Sequence, residues 1–284
     1  MKNNCTYLSI GGITIQMYIS VAISIVVEKP YIDFITKNDN ADFTISIKNK
    51  DSYYDELLNS KKKMISKCLI WDIYENSSTT YIFKNNSEKL IHKGIDFYLE
   101  NKKVAIYTNS KKIDAKDIFI RPILSHIFSL SNRILLHGAG VIFNNKGYLF
   151  LGSSGNGKST ISKIFKNNGK TIVLNDDNIV LSHSNGKIVL YGTPWYSSLE
   201  EYSASSSYLN RIFCIHHSAK NTINTPCCMK DSFLNFIPNA YLPYWDIKLS
   251  QKVIVNINSV LQVHECPKLG FLPNKSIISF ISSL

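Results

Sequence analysis

One stretch restricts the fold more than any other part of the chain: Gly152-Ser153-Ser154-Gly155-Asn156-Gly157-Lys158-Ser159-Thr160. It fits G-x-x-x-x-G-K-[ST], and its flanks fit too. The residues before it, G-Y-L-F-L at 147–151, read as a strand. Those after it, I-S-K-I-F-K-N-N-G, put Ile161, Ile164 and Phe165 on one face of a helix with Gly169 as its C-terminal cap. A strand entering such a loop and a helix leaving it is a phosphate-binding arrangement. The glycines let backbone N–H groups close around phosphate oxygens, and the helix N-terminus adds partial positive charge. Lys158 can reach the β- and γ-phosphates, and Ser159 can ligate Mg²⁺.

The next apolar strand, T-I-V-L, ends in two adjacent acids, Asp176 and Asp177. From residue 131 onward there are 14 Lys and Arg against 7 Asp and Glu, so this pairing is conspicuous. Two carboxylates in contact repel, and one pKa rises unless a cation or a donor compensates. A strand beside the phosphate loop would bring the pair close to a bound Mg²⁺, with help from Lys158. One carboxylate would then hold the metal or its water, and the other would accept a proton from an attacking hydroxyl. The residues alone leave open which does which. The plainer alternative is an Asp capping the following turn beside a solvated neighbour. His137 lies on the strand before the loop; a lone strand histidine is more often a packed or surface residue, and the alternative is that it orients one of the carboxylates or tunes its pKa.

The 284 residues, 44% apolar and 19% charged, suit a globular chain with a substantial core. Residues 1–115 read as a β-rich domain. Positions 13–25 alternate apolar and polar, which is a strand pattern rather than a signal peptide. Strand-like pieces recur at 44–47, 64–71, 80–83 and 104–107, separated by polar turns. Residues 116–284 form a second domain. It opens with a helix from about Pro122 and continues with a hairpin (134–143 and 147–151) around Asn144-Asn145-Lys146-Gly147. A second hairpin turns at Ser184-Asn185-Gly186 and ends in Gly192-Thr193-Pro194-Trp195. Further strands are expected at I-F-C-I (212–215) and V-I-V-N-I (253–257).

The formal charge of +11 reads first as a solvated surface, with an anionic partner as the functional alternative; it is scattered, with Lys61-Lys62-Lys63 the only run of three, so nucleic acid is not expected. No segment reads as membrane-spanning. The six cysteines lack metal-site spacing, and reduced thiols in a cytoplasmic setting are the expectation.

The order L-H-G-A-G-V, hairpin, G-x-S-G-x-G-K-S-T, helix, apolar strand ending in D-D, hairpin into G-T-P-W resembles the HPr-kinase-related proteins. The match runs over residues 117–200 and more loosely to about 276, where V-H-E-C-P-K-L-G-F-L-P-N-K-S-I is similar to their closing strand segment. The resemblance implies an α/β fold with a mixed sheet, like phosphoenolpyruvate carboxykinase, carrying a P-loop kinase domain. It further implies transfer from ATP with Mg²⁺ to a serine-type hydroxyl. Gly152 to Thr160 would be the nucleotide loop. Ser159, Asp176 and Asp177 would serve the metal and the proton, with Lys158 and His137 assisting, and Glu200 or Glu201 would add a metal contact. Gly192 to Trp195 would shape the loop beside the active site. Members often self-associate, so a homo-oligomer is an expectation. The C-terminal segment tied to HPr binding is not found, so a peptide or small protein other than HPr, such as a precursor peptide, is the expected acceptor. A free hydroxy metabolite and an ATP-dependent binding module without transfer are the competing readings.

Overall fold

In the computed structural model the described residues are 5–19, 23–50, 63–67, 71–77, 80–85, 95–100, 102–184, 186–195 and 199–284. Lys61, Lys62, Cys68 and Asn185, and the part of the 64–71 strand at 68–70, lie outside them. Two units are distinguished. The first comprises the chain up to Leu130, apart from Ile10–Gly12, together with Pro243–Ile247. The second comprises Ile10–Gly12, Ser131–Leu242 and Lys248–Leu284. The division thus falls at Leu130/Ser131, and the helix begun near Pro122 groups with the first unit.

Alternation builds the first unit. Its strands are β1 (Cys5–Ile10), β2 (Ile13–Ile19), β3 (Ser24–Val26), β4 (Phe43–Asn49), β5 (Lys63–Lys67), β6 (Trp71–Ser77), β7 (Thr80–Asn85), β8 (Ile95–Glu100), β9 (Lys103–Thr108) and β10 (Lys112–Asp114). In β4, Phe43, Ile45 and Ile47 are buried while the residues between them are not, which is the period-two signature of a half-buried strand. The main sheet runs β1-β2-β4-β9-β8-β7-β6-β5, and β3 pairs with β10 in parallel. Two helices follow, α1 (Ala115–Ile118) and α2 (Arg121–Leu130). Pro122 lies in the first turn of α2, where its missing N–H costs nothing.

In the second unit, β11 (Arg133–Phe143) and β12 (Lys146–Leu151) form a hairpin whose two-residue loop, Asn144-Asn145, has positive φ at both positions. After the Gly-rich loop that follows β12 come α3 (Lys158–Lys166), β13 (Thr171–Asn175), β14 (Asn178–Ser184), β15 (Lys187–Tyr191), β16 (Ser206–His217) and β17 (Thr222–Asn224). The chain closes with α4 (Met229–Phe236), α5 (Ile247–Leu261), β18 (Lys268–Phe271) and α6 (Ser276–Ser283).

Two long strands organise this unit. Residues 133–137 of β11 pair with β14, and residues 138–143 pair with β12 on one side while 140–143 pair with β13 on the other. β16 pairs first with β15, then in parallel with β12 and β18. Helices cover both faces. On one, Val253, Ile257 and Val260 of α5 and Phe236 of α4 meet Leu136, Leu151, Ile179 and Leu190. On the other, Ile161 and Phe165 of α3 and Ile277 and Ile281 of α6 meet Val141, Phe150, Phe213 and Leu269. The chain is therefore a mixed α/β protein with mixed sheets. No helix among the described residues is long and apolar enough to cross a membrane.

One expected strand is a helix. V-I-V-N-I lies inside α5, where Leu249, Val253, Ile257, Val260 and Leu261 are buried and Val255 is exposed. A five-residue apolar run has no period of its own. The wider spacing of four, four and three residues is helical, and tertiary packing on that stripe overrides the β-branched composition. Ile257→Ala should therefore lower the unfolding free energy by about 2–5 kcal/mol, and Val255→Ala by less than about 0.5 kcal/mol. Urea unfolding of the two variants measures this; equal losses would mean a strand.

Candidate active site

The loop leaving β12 turns at Gly155 and Gly157, with φ of +86° and +94°, values that side-chain-bearing residues rarely adopt. Gly157 is the N-cap of α3, so the helix N-terminus begins at the loop. The root of the loop is pinned from a distant segment. The Gly152 N–H donates to Asn239 Oδ1 at 3.0 Å, and Asn239 Nδ2 donates to Asn235 O at 3.2 Å. Lys158 is only 7% exposed. Its Nζ donates to Gly152 O at 2.7 Å and to Ser153 O at 3.3 Å. Burial pulls the Lys158 pKa down, while Asp177 and Asp176 act in the opposite direction.

The acid pair occupies the link between β13 and β14, at the place where β11 exchanges one partner for the other. β13 pairs with β11 from Gly140 onward, and β14 pairs with it up to His137, which lies opposite Asn178. This register puts His137 beside the acids: its Nδ1 is 3.1 Å from Asp177 Oδ1. The Gly138 N–H donates to Asp177 O at 3.0 Å. Asp176 is 1% exposed, and the Asp177 side chain is 22% exposed.

Asn175, fully buried, holds this turn. Its Oδ1 accepts the N–H groups of Asp177 at 2.7 Å and Asn178 at 2.9 Å, and its Nδ2 donates to Thr193 O at 3.0 Å. Thr193 Oγ1 in turn donates to Asn178 O at 2.6 Å. The segment before Thr193 fits only as glycine. A Cβ on Gly192 would lie 1.9 Å from Ser203 O and 2.8 Å from Leu174 O. The G-T-P-W stretch thus braces the backbone of the acid turn.

The structure brings Ser154, Gly155, Gly157, Lys158, Ser159, Thr160, His137, Asp176 and Asp177 to one cleft of about 400 Å³, together with His217. Gly152, Ser153 and Asn156 belong to the loop but not to the cleft wall. Gly152 is buried under the side chain of Asn156, and the Asn156 N–H donates to Ser153 O. Glu201 pairs instead with Lys166 on α3, and neither it nor Glu200 lines the cleft. A cleft of about 490 Å³ at the other end of the β11–β14 ladder, bounded by Asn132, Ile134, Ser182 and Asn256, has no Asp, Glu, Lys or Arg in its wall. Size therefore does not mark the site; chemistry does.

Ser159 and the two carboxylates are hard oxygen donors and fit Mg²⁺. Among the described residues no group of three or more His, Cys, Asp or Glu could hold a metal ion. Such a site suits a metal whose remaining ligands are water and phosphate oxygens.

His217, Asn239 and Asn175 are functional residues not expected from the sequence, whereas Thr193 lies in the Gly192–Trp195 stretch that was expected beside the site. Only Asn175 carried a usable signal, as an Asn immediately before two acids at a strand end. No protein-family model matches the chain, and no curated protein matches it.

Asn175→Ala would strip partners from the buried turn at a cost of about 1–3 kcal/mol for each group left unpaired. A urea unfolding curve measures it. A variant within about 0.5 kcal/mol of the parent would contradict the bracing role.

Proposed function

We propose that the chain is an ATP-dependent, Mg²⁺-dependent kinase for a serine-type hydroxyl on a peptide or small protein. In this reading it belongs with the HPr-kinase-related P-loop kinases of phosphoenolpyruvate-carboxykinase-like fold. The observation that carries the proposal is the convergence of the phosphate loop, Lys158 and the His137-contacted acid pair in one cleft. A module that only held nucleotide would need the loop and Lys158. It would have no use for a second carboxylate contacted by a histidine.

The residues divide the work as follows. Loop N–H groups and the N-terminus of α3 hold the phosphate chain, and Lys158 stabilises the charge that develops on the transferred group. Mg²⁺, held by Ser159 and one carboxylate, neutralises the phosphate chain when bound. The other carboxylate takes the proton from the acceptor hydroxyl as its oxygen bonds to the γ-phosphorus and the bond to the leaving diphosphate breaks. His137 orients Asp177. The net charge of +11 favours an acidic acceptor, and a precursor peptide of a modification pathway is the class that the resemblance favours.

The test is transfer from γ-labelled ATP with Mg²⁺ to a panel of serine-containing peptides and free hydroxy metabolites, with products identified by mass spectrometry. A phosphopeptide absent when Lys158→Ala is used is the expected result. Asp176→Asn and Asp177→Asn should each lower transfer by about 10²–10⁴-fold, with at least one still binding ATP. Transfer to a metabolite alone would move the acceptor class. ATP binding without transfer to any acceptor, or full activity in both Asp variants, would overturn the kinase mechanism.

A further inference from the structure

β16 runs parallel to β12, the strand that feeds the phosphate loop, with Cys214 opposite Leu151. His217, the last residue of β16, therefore lies past the point where β12 gives way to the loop. Ligands of open α/β sheets bind at such C-terminal strand ends. The His217 side chain is exposed and forms part of the cleft wall. Its ring lies against Phe271, its register partner in β18, with centroids 5.1 Å apart.

The same ring borders the start of α3. A Cβ on Gly157 would come within 2.7 Å of His217 Cε1, 3.0 Å of Nε2 and 2.6 Å of Phe271 Cζ. Gly157 is thus required for space as well as for its φ, and the space it leaves is taken by an imidazole. Neither ring nitrogen of His217 has a hydrogen-bond partner among the described residues. The neighbouring His216 points elsewhere: its Nε2 lies 3.1 Å from the Cβ position of Gly270, and it does not line the cleft.

A histidine with a purely packing role would be buried or would tie a ring nitrogen to the backbone. This one is braced on one side by Phe271 and leaves its polar edge at the mouth of the loop. The cleft it borders holds a helix N-terminus and Lys158, both positive, besides the carboxylates Asp176 and Asp177, and with the Gly-rich loop directly against its ring the group that fits an imidazole N–H there is an anionic acceptor. We infer that His217 is a phosphate-contacting residue of this site, donating an N–H to an oxygen of the nucleotide's phosphate chain. The inference rests on the nucleotide-binding reading above. It adds a donor from the far side of the sequence and names the polyphosphate, not the base, as the part recognised there.

Calorimetric titration of the parent, H217F and H217Q with Mg²⁺–ATP and with Mg²⁺–tripolyphosphate tests it. H217F keeps a ring against Phe271 and loses the donor, whereas H217Q keeps a donor and loses the ring. H217F should bind both ligands about tenfold more weakly, and H217Q should recover most of that loss. Thermal unfolding of both variants separates this from a folding defect. Unchanged tripolyphosphate affinity in H217F overturns the inference, whether or not ATP affinity falls, because a loss confined to ATP marks a base or ribose contact. Equal weakening in H217F and H217Q also overturns it, since packing would then be the cause. A parent that binds neither ligand overturns the nucleotide-binding reading itself, a result distinct from a parent that binds while H217F is unaffected.

Discussion

A carboxylate that is 1% exposed, followed directly by a second carboxylate, imposes a demand on everything around it. An ion taken out of water loses solvation worth several kcal/mol, and a like charge next to it adds to the penalty. Compensation has to come from positive charge or donors within a few ångströms. At Asp177 the chain supplies His137 at 3.1 Å and the Asn178 amide, which donates to Oδ2 at 2.5 Å, and Lys158 lines the same cleft. Lys158 is itself buried, and its charge is disfavoured by that burial and favoured by the acids. Oxygen donors gathered around such a pair also suit a divalent cation.

Topology is what makes this arrangement possible. Because β11 changes partners between β13 and β14, the two-residue link that carries the acids lies against the same strand that leads through the hairpin to the Gly-rich loop. The loop, the acids and His137 are thus held by one continuous ladder rather than by independent surface loops. Asn239 fixes the loop from below and Asn175 fixes the acid turn from behind, both as buried amides bonded to backbone. Sites built on such rigid elements hold reacting groups in position before a ligand arrives.

The parts legible in the sequence were the local ones. The Gly-rich loop after β12, its helix and the Asn144-Asn145 hairpin each depend on residues within a few positions, and the glycines and asparagines signal the backbone they need. The acid pair stood out by scarcity. His137 could be put on the right strand, but its contact with Asp177 depends on register, which a strand sequence does not state. The parts that were not legible come from long range. Asn239 bonds to Gly152 across 87 residues, and nothing in I-P-N-A marks it for that task. His217 is one of two consecutive histidines, and only pairing with β18 decides which one faces the cleft. V-I-V-N-I read as a strand because its helical partners, Leu249 and Val260, lie outside the short window that its composition draws attention to.

The most direct measurement is the position of the metal. A crystal grown with Mn²⁺ and a non-hydrolysable ATP analogue, with an anomalous difference map at the manganese edge, locates the ion independently of any assumption about the acceptor. One manganese peak is expected within ligand distance of Ser159 and at least one of Asp176 and Asp177, with the analogue's phosphates enclosed by residues 152–160. A nucleotide bound elsewhere, or a metal with no contact to either carboxylate, would contradict the proposed site.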